Sequence, residues 1–221
     1  MTWVKICGIT NLDDALMAVD AGADALGFVF YEKSPRKIDP ETACEIIGRL
    51  PETVEKVGVF VNEWEGFVCD LADRVCFTTV QLHGDNEDPH VADLILKRRP
   101  QLKIVAAISM ARSAKPEAWA MMWSPESVHA FLVDSGSASK YGGTGCAFDW
   151  EQSLESVEVI KRLGRVIVAG GLNDQNVAHA VKVLHPWGVD VASGVEASPG
   201  KKDPDKVRAF VAAVRAAEKT L

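Results

Sequence analysis

Eight times along the chain a short apolar run gives way to a stretch with helical spacing, and that rhythm narrows the possible folds more than any other feature. The runs are Trp3–Cys7, Ala25–Phe30, Lys56–Val61, Thr79–His83, Lys103–Ile108, Ala130–Asp134, Arg165–Ala169 and Val189–Ser193. Amphipathic segments such as Leu12–Ala21, Glu41–Leu50, Val91–Arg98 and Asn176–Leu184 fall between them. Runs such as Lys56-Val57-Gly58-Val59-Phe60-Val61 show little alternation, as strands buried on both faces of a parallel sheet do. Strand–helix units in unbroken series predict an α/β chain. Eight of them predict a (β/α)8 TIM barrel, eight parallel strands with outer helices, over an open doubly wound sheet. No linker, low-complexity tract or shift in composition divides the 221 residues, so 1–221 is expected to form a single (β/α)8 barrel domain.

The helix starts carry their own marks. Asp39-Pro40, Asp88-Pro89 and Asp203-Pro204 each set a capping acid before a proline suited to the first helical position. Thr10 is expected to cap the first helix, and Asp149 with Gln152 has the spacing of a capping box.

Composition excludes more than it selects. A net charge of −7 gives no basic surface for nucleic acid, so a bound phosphate would be held locally by backbone amides and helix ends. No apolar run approaches a membrane span, and Met1 to Lys5 lead directly into a strand without a signal peptide. The five cysteines form no C-x-x-C pair, which predicts reduced thiols, a cytoplasmic location and neither disulfide frame nor zinc site. The histidines show no metal-ligand spacing, and no metal or cofactor is expected. No exposed apolar stripe stands out, which favours a monomer and leaves a homodimer open.

In a barrel of this kind chemistry sits where strands end and helices begin. The first strand ends at Cys7. Alternation puts Trp3, Lys5 and Cys7 on one face, so a cation lies one step below the thiol and would favour the thiolate. A cysteine in an apolar strand also serves as a small buried hydrophobe. The loop after the second strand holds Arg36, whose forked guanidinium suits a planar carboxylate, although a short charged loop is also ordinary solvated surface. Gln81 and His83 share a face at the end of strand four, as substrate contacts or as a hydrogen-bonded plug. Strand six ends at Asp134, either an Asx-turn residue or a carboxylic acid whose pKa burial would raise, leaving it able to donate a proton. The loop from Ser137 to Phe148 includes Gly142, Gly143 and Gly145, which permit close backbone approach or simply make a flexible lid. Ala169-Gly170-Gly171-Leu172-Asn173 follows strand seven and Ser193-Gly194-Val195-Glu196 follows strand eight, where barrels commonly bind phosphate. Asp190 on strand eight is expected to point inward, as a supporting contact or as a buried ion pair with a lysine.

Taken in order, these segments resemble the phosphoribosylanthranilate isomerase family of tryptophan biosynthesis. The resemblance rests on Lys5-Ile6-Cys7-Gly8-Ile9-Thr10, Ala21–Phe30, Ser34-Pro35-Arg36 and Val80-Gln81-Leu82-His83-Gly84. It continues through Gly142-Gly143-Thr144-Gly145, Phe148-Asp149-Trp150, Gly170-Gly171-Leu172, Ser193–Glu196 and Pro199–Asp203. Val91–Trp123 adds little beyond the strand–helix rhythm, and Cys146 has no assigned role. The resemblance implies a cofactor-free Amadori isomerase acting on a small phosphorylated substrate, N-(5'-phosphoribosyl)anthranilate. It implies Asp134 as general acid, Cys7 as general base and Arg36 as holder of the anthranilate carboxylate. Gln81, His83, Gly143, Gly145, Gly170, Gly171, Asp190, Ser193 and Gly194 complete the implied substrate site. Two alternatives stand beside it. One is a related sugar-phosphate isomerase of histidine biosynthesis, against which Cys7 speaks because that relative would carry an acid there. The other is a non-catalytic barrel that binds a phosphorylated metabolite.

Overall fold

The computed structural model describes residues 1–84, 89–111, 115–136 and 147–219. Strands β1 (Trp3–Cys7), β2 (Ala25–Val29), β3 (Glu55–Val61), β4 (Thr79–His83), β5 (Lys103–Ser109), β6 (Ala130–Asp134), β7 (Arg165–Val168) and β8 (Gly188–Val191) pair in parallel and in sequence order. β8 returns to β1, with Trp3 opposite Gly188 and Lys5 opposite Asp190, so the sheet closes on itself as a (β/α)8 barrel. Helices α1 (Leu12–Asp20), α2 (Pro40–Ile47), α3 (Glu65–Val75), α4 (His90–Arg98), α5 (Pro116–Ala120), α6 (Leu154–Leu163), α7 (Val177–Leu184) and α8 (Pro204–Glu218) alternate with the strands.

The two-residue period of each strand sorts its side chains into two cores. Ile6, Leu26, Phe28, Phe60, Leu82, Ile104, Phe131 and Val166 point outward and pack against the helices. Cys7, Ala25, Val57, Val59, Val105, Ala107, Leu132 and Ile167 point inward and fill the barrel. This explains the continuous apolar runs: both faces of every strand are buried, against different partners. At the N-terminal end of the strands, Trp3 stacks on Trp187 with ring centroids 5.2 Å apart. The Arg165 guanidinium lies 4.9 Å over the Trp187 ring, and His129 meets that ring edge-on at 5.8 Å.

Caps fix where several helices begin. Asp39 accepts from the Thr42 N–H at 2.9 Å, and Asp203 accepts from Asp205 N–H at 3.0 Å, each with the following proline in the first turn. Asp88 lies outside the described residues. Two expected caps differ. The first helix is capped by Asn11, which accepts from Asp14 N–H at 2.9 Å, because the Thr10 hydroxyl instead donates to the Gly200 carbonyl. Asp149 does accept from Gln152 N–H at 2.9 Å, but it closes a turn ahead of α6, whose first residue is Leu154. Beyond β8 the chain makes a single 3-10 turn, Ser193–Val195, then a small antiparallel hairpin of β9 (Glu196–Ser198) and β10 (Lys201–Lys202).

Candidate active site

The C-terminal ends of the strands surround a cavity of about 640 Å³. Cys7 on β1, Gln81 and His83 on β4, Asp134 on β6, Gly170 and Gly171 after β7, and Asp190 and Ser193 on and after β8 line it, together with Arg36 from the loop before α2. Gly143 and Gly145, the glycine-rich loop that carries them and Cys146 lie outside the described residues.

Cys7 is 7 % exposed, and its neighbour opposite on β2 is Gly27. A Cβ at Gly27 would stand 2.7 Å from the Cys7 sulfur and 3.1 Å from Lys5 Cε, so that strand can carry no side chain beside the thiol. Lys5 is fully buried and donates from Nζ to Asp190 Oδ1 at 2.7 Å. Burial works against the Lys5 charge, but Asp190 and Cys7 together raise its pKa above the ordinary lysine value. For Cys7, burial pushes the thiol up, Lys5 pulls it down, Asp190 pushes it up and Lys202 pulls it down; burial prevails. Lys5 does favour the thiolate, as its place on the strand implied, but it does not set the balance. The cation is where the alternation put it, but it is shared with Asp190, and desolvation of the sulfur outweighs it. Of the two readings of Asp190, the ion pair with a lysine is the one found.

Asp134 is 4 % exposed, and its Oδ1 accepts from Ser135 Oγ at 3.2 Å and from the Gly136 N–H at 3.3 Å. Its other oxygen lies 4.0 Å from His83 Nε2, an electrostatic neighbour too distant for a hydrogen bond. Gln81 is 3 % exposed and its Oε1 is buried without a donor among the described residues. Leaving such an acceptor unmet costs roughly 1–3 kcal/mol, a cost that a ligand N–H or O–H entering the cavity would remove.

Arg36 sits over Gly8, whose positive φ (80°) and missing side chain make room for the arginine stem: a Cβ there would fall 2.5 Å from Arg36 Cδ. Its guanidinium is already engaged. Nε donates to Glu196 Oε1 at 2.8 Å and Nη2 to Oε2 at 2.7 Å. The hydrogen bonds it donates to Glu196 are the main reason its pKa is raised, with burial opposing. A planar ligand carboxylate is thus offered the remaining Nη1–Nη2 edge of the fork.

The two turns expected to hold phosphate abut one another. A Cβ at Gly194 would stand 1.9 Å from the Leu172 carbonyl oxygen. Gly170 (φ 79°) and Gly171 (φ 66°) both take the left-handed backbone, and a Cβ at Gly170 would fall 2.4 Å from Ser135 N and 2.5 Å from Asp134 Oδ1. The backbone of the turn after β7 thus lies directly against the Asp134 carboxyl group and Ser135. Strand β8 stops at Val191, two residues short of its expected end, because the chain turns at Ala192 into the 3-10 segment.

Sequence reasoning gave no role to Gly27, Glu196 or Lys202. A glycine inside an apolar strand is a signal of close approach and was available. Glu196 and Lys202 carried no signal of their own, because their pairing depends on the hairpin. Among the described residues no three His, Cys, Asp or Glu side chains gather to hold a metal ion, and no helix is long and apolar enough to cross a membrane.

Comparison with known proteins agrees with this architecture. Residues 4–213 match the family model described as N-(5'-phosphoribosyl)anthranilate (PRA) isomerase. The chain is 49% identical over 213 residues to the N-(5'-phosphoribosyl)anthranilate isomerase of Citrifermentans bemidjiense, covering 96% of each chain. Among solved structures it is similar to the phosphoribosyl anthranilate isomerase of Thermotoga maritima, at 39% identity and TM-score 0.86, over 98% of this chain and 100% of that one. A phosphoribosyl anthranilate isomerase solved with reduced 1-(o-carboxyphenylamino)-1-deoxyribulose 5-phosphate superposes at TM-score 0.83 and 39% identity, over the same shares of the two chains. With a family model spanning nearly the whole chain and relatives this similar along their full length, the chain belongs to the N-(5'-phosphoribosyl)anthranilate isomerase family and is an isomerase built on a (β/α)8 barrel.

Proposed function

We propose that the chain converts N-(5'-phosphoribosyl)anthranilate to 1-(2-carboxyphenylamino)-1-deoxy-D-ribulose 5-phosphate, the Amadori step of tryptophan biosynthesis, with Asp134 as general acid and Cys7 as general base. The observation that carries this reading is that both groups, from strands β1 and β6, line a single cavity together with the two glycine turns. The reaction needs a proton donor first and a proton acceptor second, so the two groups must stand in opposite protonation states.

Asp134 delivers its proton to the ribose ring oxygen. The bond from that oxygen to C1′ breaks as the anilino nitrogen lone pair forms a carbon–nitrogen double bond, giving an open-chain iminium. The iminium acidifies the hydrogen on C2′. Cys7 in its thiolate form takes that proton, and the electron pair left behind makes the C1′–C2′ double bond of a neutral enolamine. Loss of the C2′ hydroxyl proton and protonation at C1′ give the ketone. The free edge of Arg36 receives the anthranilate carboxylate, the turns at Gly170–Gly171 and Ser193–Gly194 receive the phosphate, and Gln81 and His83 flank the sugar. The relative bound to a reduced form of this product supports the reading.

Loss of the substrate's anthranilate fluorescence measures the activity directly. Cys7→Ser and Asp134→Asn should each lower kcat by about 10²- to 10⁴-fold, the usual worth of a positioned acid or base. Retention of near-normal turnover by both variants would remove the assignment of roles.

A further inference from the structure

The β9–β10 hairpin places two buried ionic groups face to face. Glu196 and Lys202 are cross-strand partners, 7 % and 1 % exposed as residues. Lys202 Nζ donates to Glu196 Oε1 at 3.0 Å, to the Cys7 carbonyl at 2.6 Å and to the Ala192 carbonyl at 3.3 Å. The same Glu196 oxygen accepts from Arg36 Nε and, at 3.2 Å, from the Gly200 N–H. Burial alone would favour the neutral acid, yet hydrogen bonds from Arg36 and Lys202 and their charges hold the carboxyl below its ordinary pKa. Glu196 is therefore an anion with all its charge directed at two cations, one facing the cavity and one locked to the barrel backbone.

That geometry has a direction. Lys202 is tied to the ends of β1 and β8, the two strands that close the barrel, so it fixes Glu196 relative to Cys7 and to the turn after β8. Glu196 grips one edge of the Arg36 fork with two bonds, which fixes the plane of the guanidinium and leaves the other edge unengaged by that pair. An arginine on the loop before α2 would otherwise sample many rotamers, and every one not aligned with the ligand would weaken binding. We propose that Glu196, anchored by Lys202, is a positioning residue that aims Arg36 at the carboxylate-bearing end of the substrate and so sets the affinity for that end. The inference rests on the reading of Arg36 as the carboxylate holder.

The test is a double-mutant cycle on Glu196→Gln and Arg36→Met, reading kcat and KM for N-(5'-phosphoribosyl)anthranilate and the inhibition constant of inorganic phosphate. Glu196→Gln keeps the side-chain volume and removes the charge; it should raise KM tenfold or more, leave kcat within threefold and leave phosphate inhibition within twofold. In the Arg36→Met background the same change should have no further effect on KM, since the group it aims is gone. An equal factor in both backgrounds, or a fall in kcat at constant KM, overturns the positioning role while leaving the Arg36 reading in place. An Arg36→Met variant with unchanged KM overturns the Arg36 reading itself. Glu196→Asp, which keeps the charge but draws it back from the fork, is read by the same criteria if Glu196→Gln does not fold.

Discussion

At Cys7 two effects of opposite sign meet, and their balance sets how much thiolate is present. Burial disfavours the thiolate while Lys5 and Lys202 favour it, and the net shift is upward. The thiolate is therefore a minor species near neutrality, and its fraction grows tenfold per pH unit until the raised pKa is reached. The rate of iodoacetamide inactivation should still be climbing at about pH 9; a plateau below pH 8 would mean the cations win. Lys5→Met should move the profile higher, but it also strands Asp190 in the barrel, a loss of about 3–5 kcal/mol in stability. Lys5→Met/Asp190→Asn removes both charges and separates the two effects. The sequence showed which residues share a face with Cys7, since alternation needs no partner to be known. It offered Asp190 an ion pair with a lysine but did not say that the lysine is Lys5, because that contact joins residues 185 positions apart through the closing strand pair.

At the scale of elements, the strand–helix series could be read because each unit declares itself locally through period and caps. The bounds found for β1, β4 and β6 are those expected, and β8 ends earlier where the backbone turns. The hairpin could not be read. Strands of three and two residues show no alternation, and their meaning lies in what they touch: Lys202 N–H donates to Asp14 of α1, and the Gly200 carbonyl accepts from Thr10. The same contact is why Thr10 fails as a cap. The glycine turns after β7 and β8 were legible as turns, but their mutual contact was not. Gly194→Ala would force a methyl group into the Leu172 carbonyl, which only backbone movement can relieve. It should raise both KM and the inhibition constant of inorganic phosphate tenfold or more, with the Cys7 alkylation profile unchanged. An Ala variant that keeps normal phosphate inhibition would take the phosphate away from this turn.

Across the whole molecule the two ends of the barrel are made of different material. One end gathers ion pairs, an unmet acceptor and left-handed glycines around a cavity; the other is closed by Trp3, Trp187, His129 and Arg165 packed on one another. Changes at the closed end should cost stability and spare catalysis. Trp187→Ala removes a half-buried stacked ring and should cost roughly 2–3 kcal/mol, somewhat less than the 3–5 of a fully buried aromatic. For a chain of this size that lowers Tm by about 4–12 °C, with KM within twofold. Calorimetry and the fluorescence assay check the two halves of that statement.

The hairpin at residues 196–202 reaches back across the seam between the first and last strands to touch residues 7, 14 and 36. Cys7 and Arg36 stand near the start of the sequence and Asp134 past its middle, yet the carboxylate that grips the arginine fork comes only at residue 196. On the role proposed for Glu196, a polypeptide cut before residue 196 would hold Cys7, Arg36 and Asp134 without the means to aim the arginine.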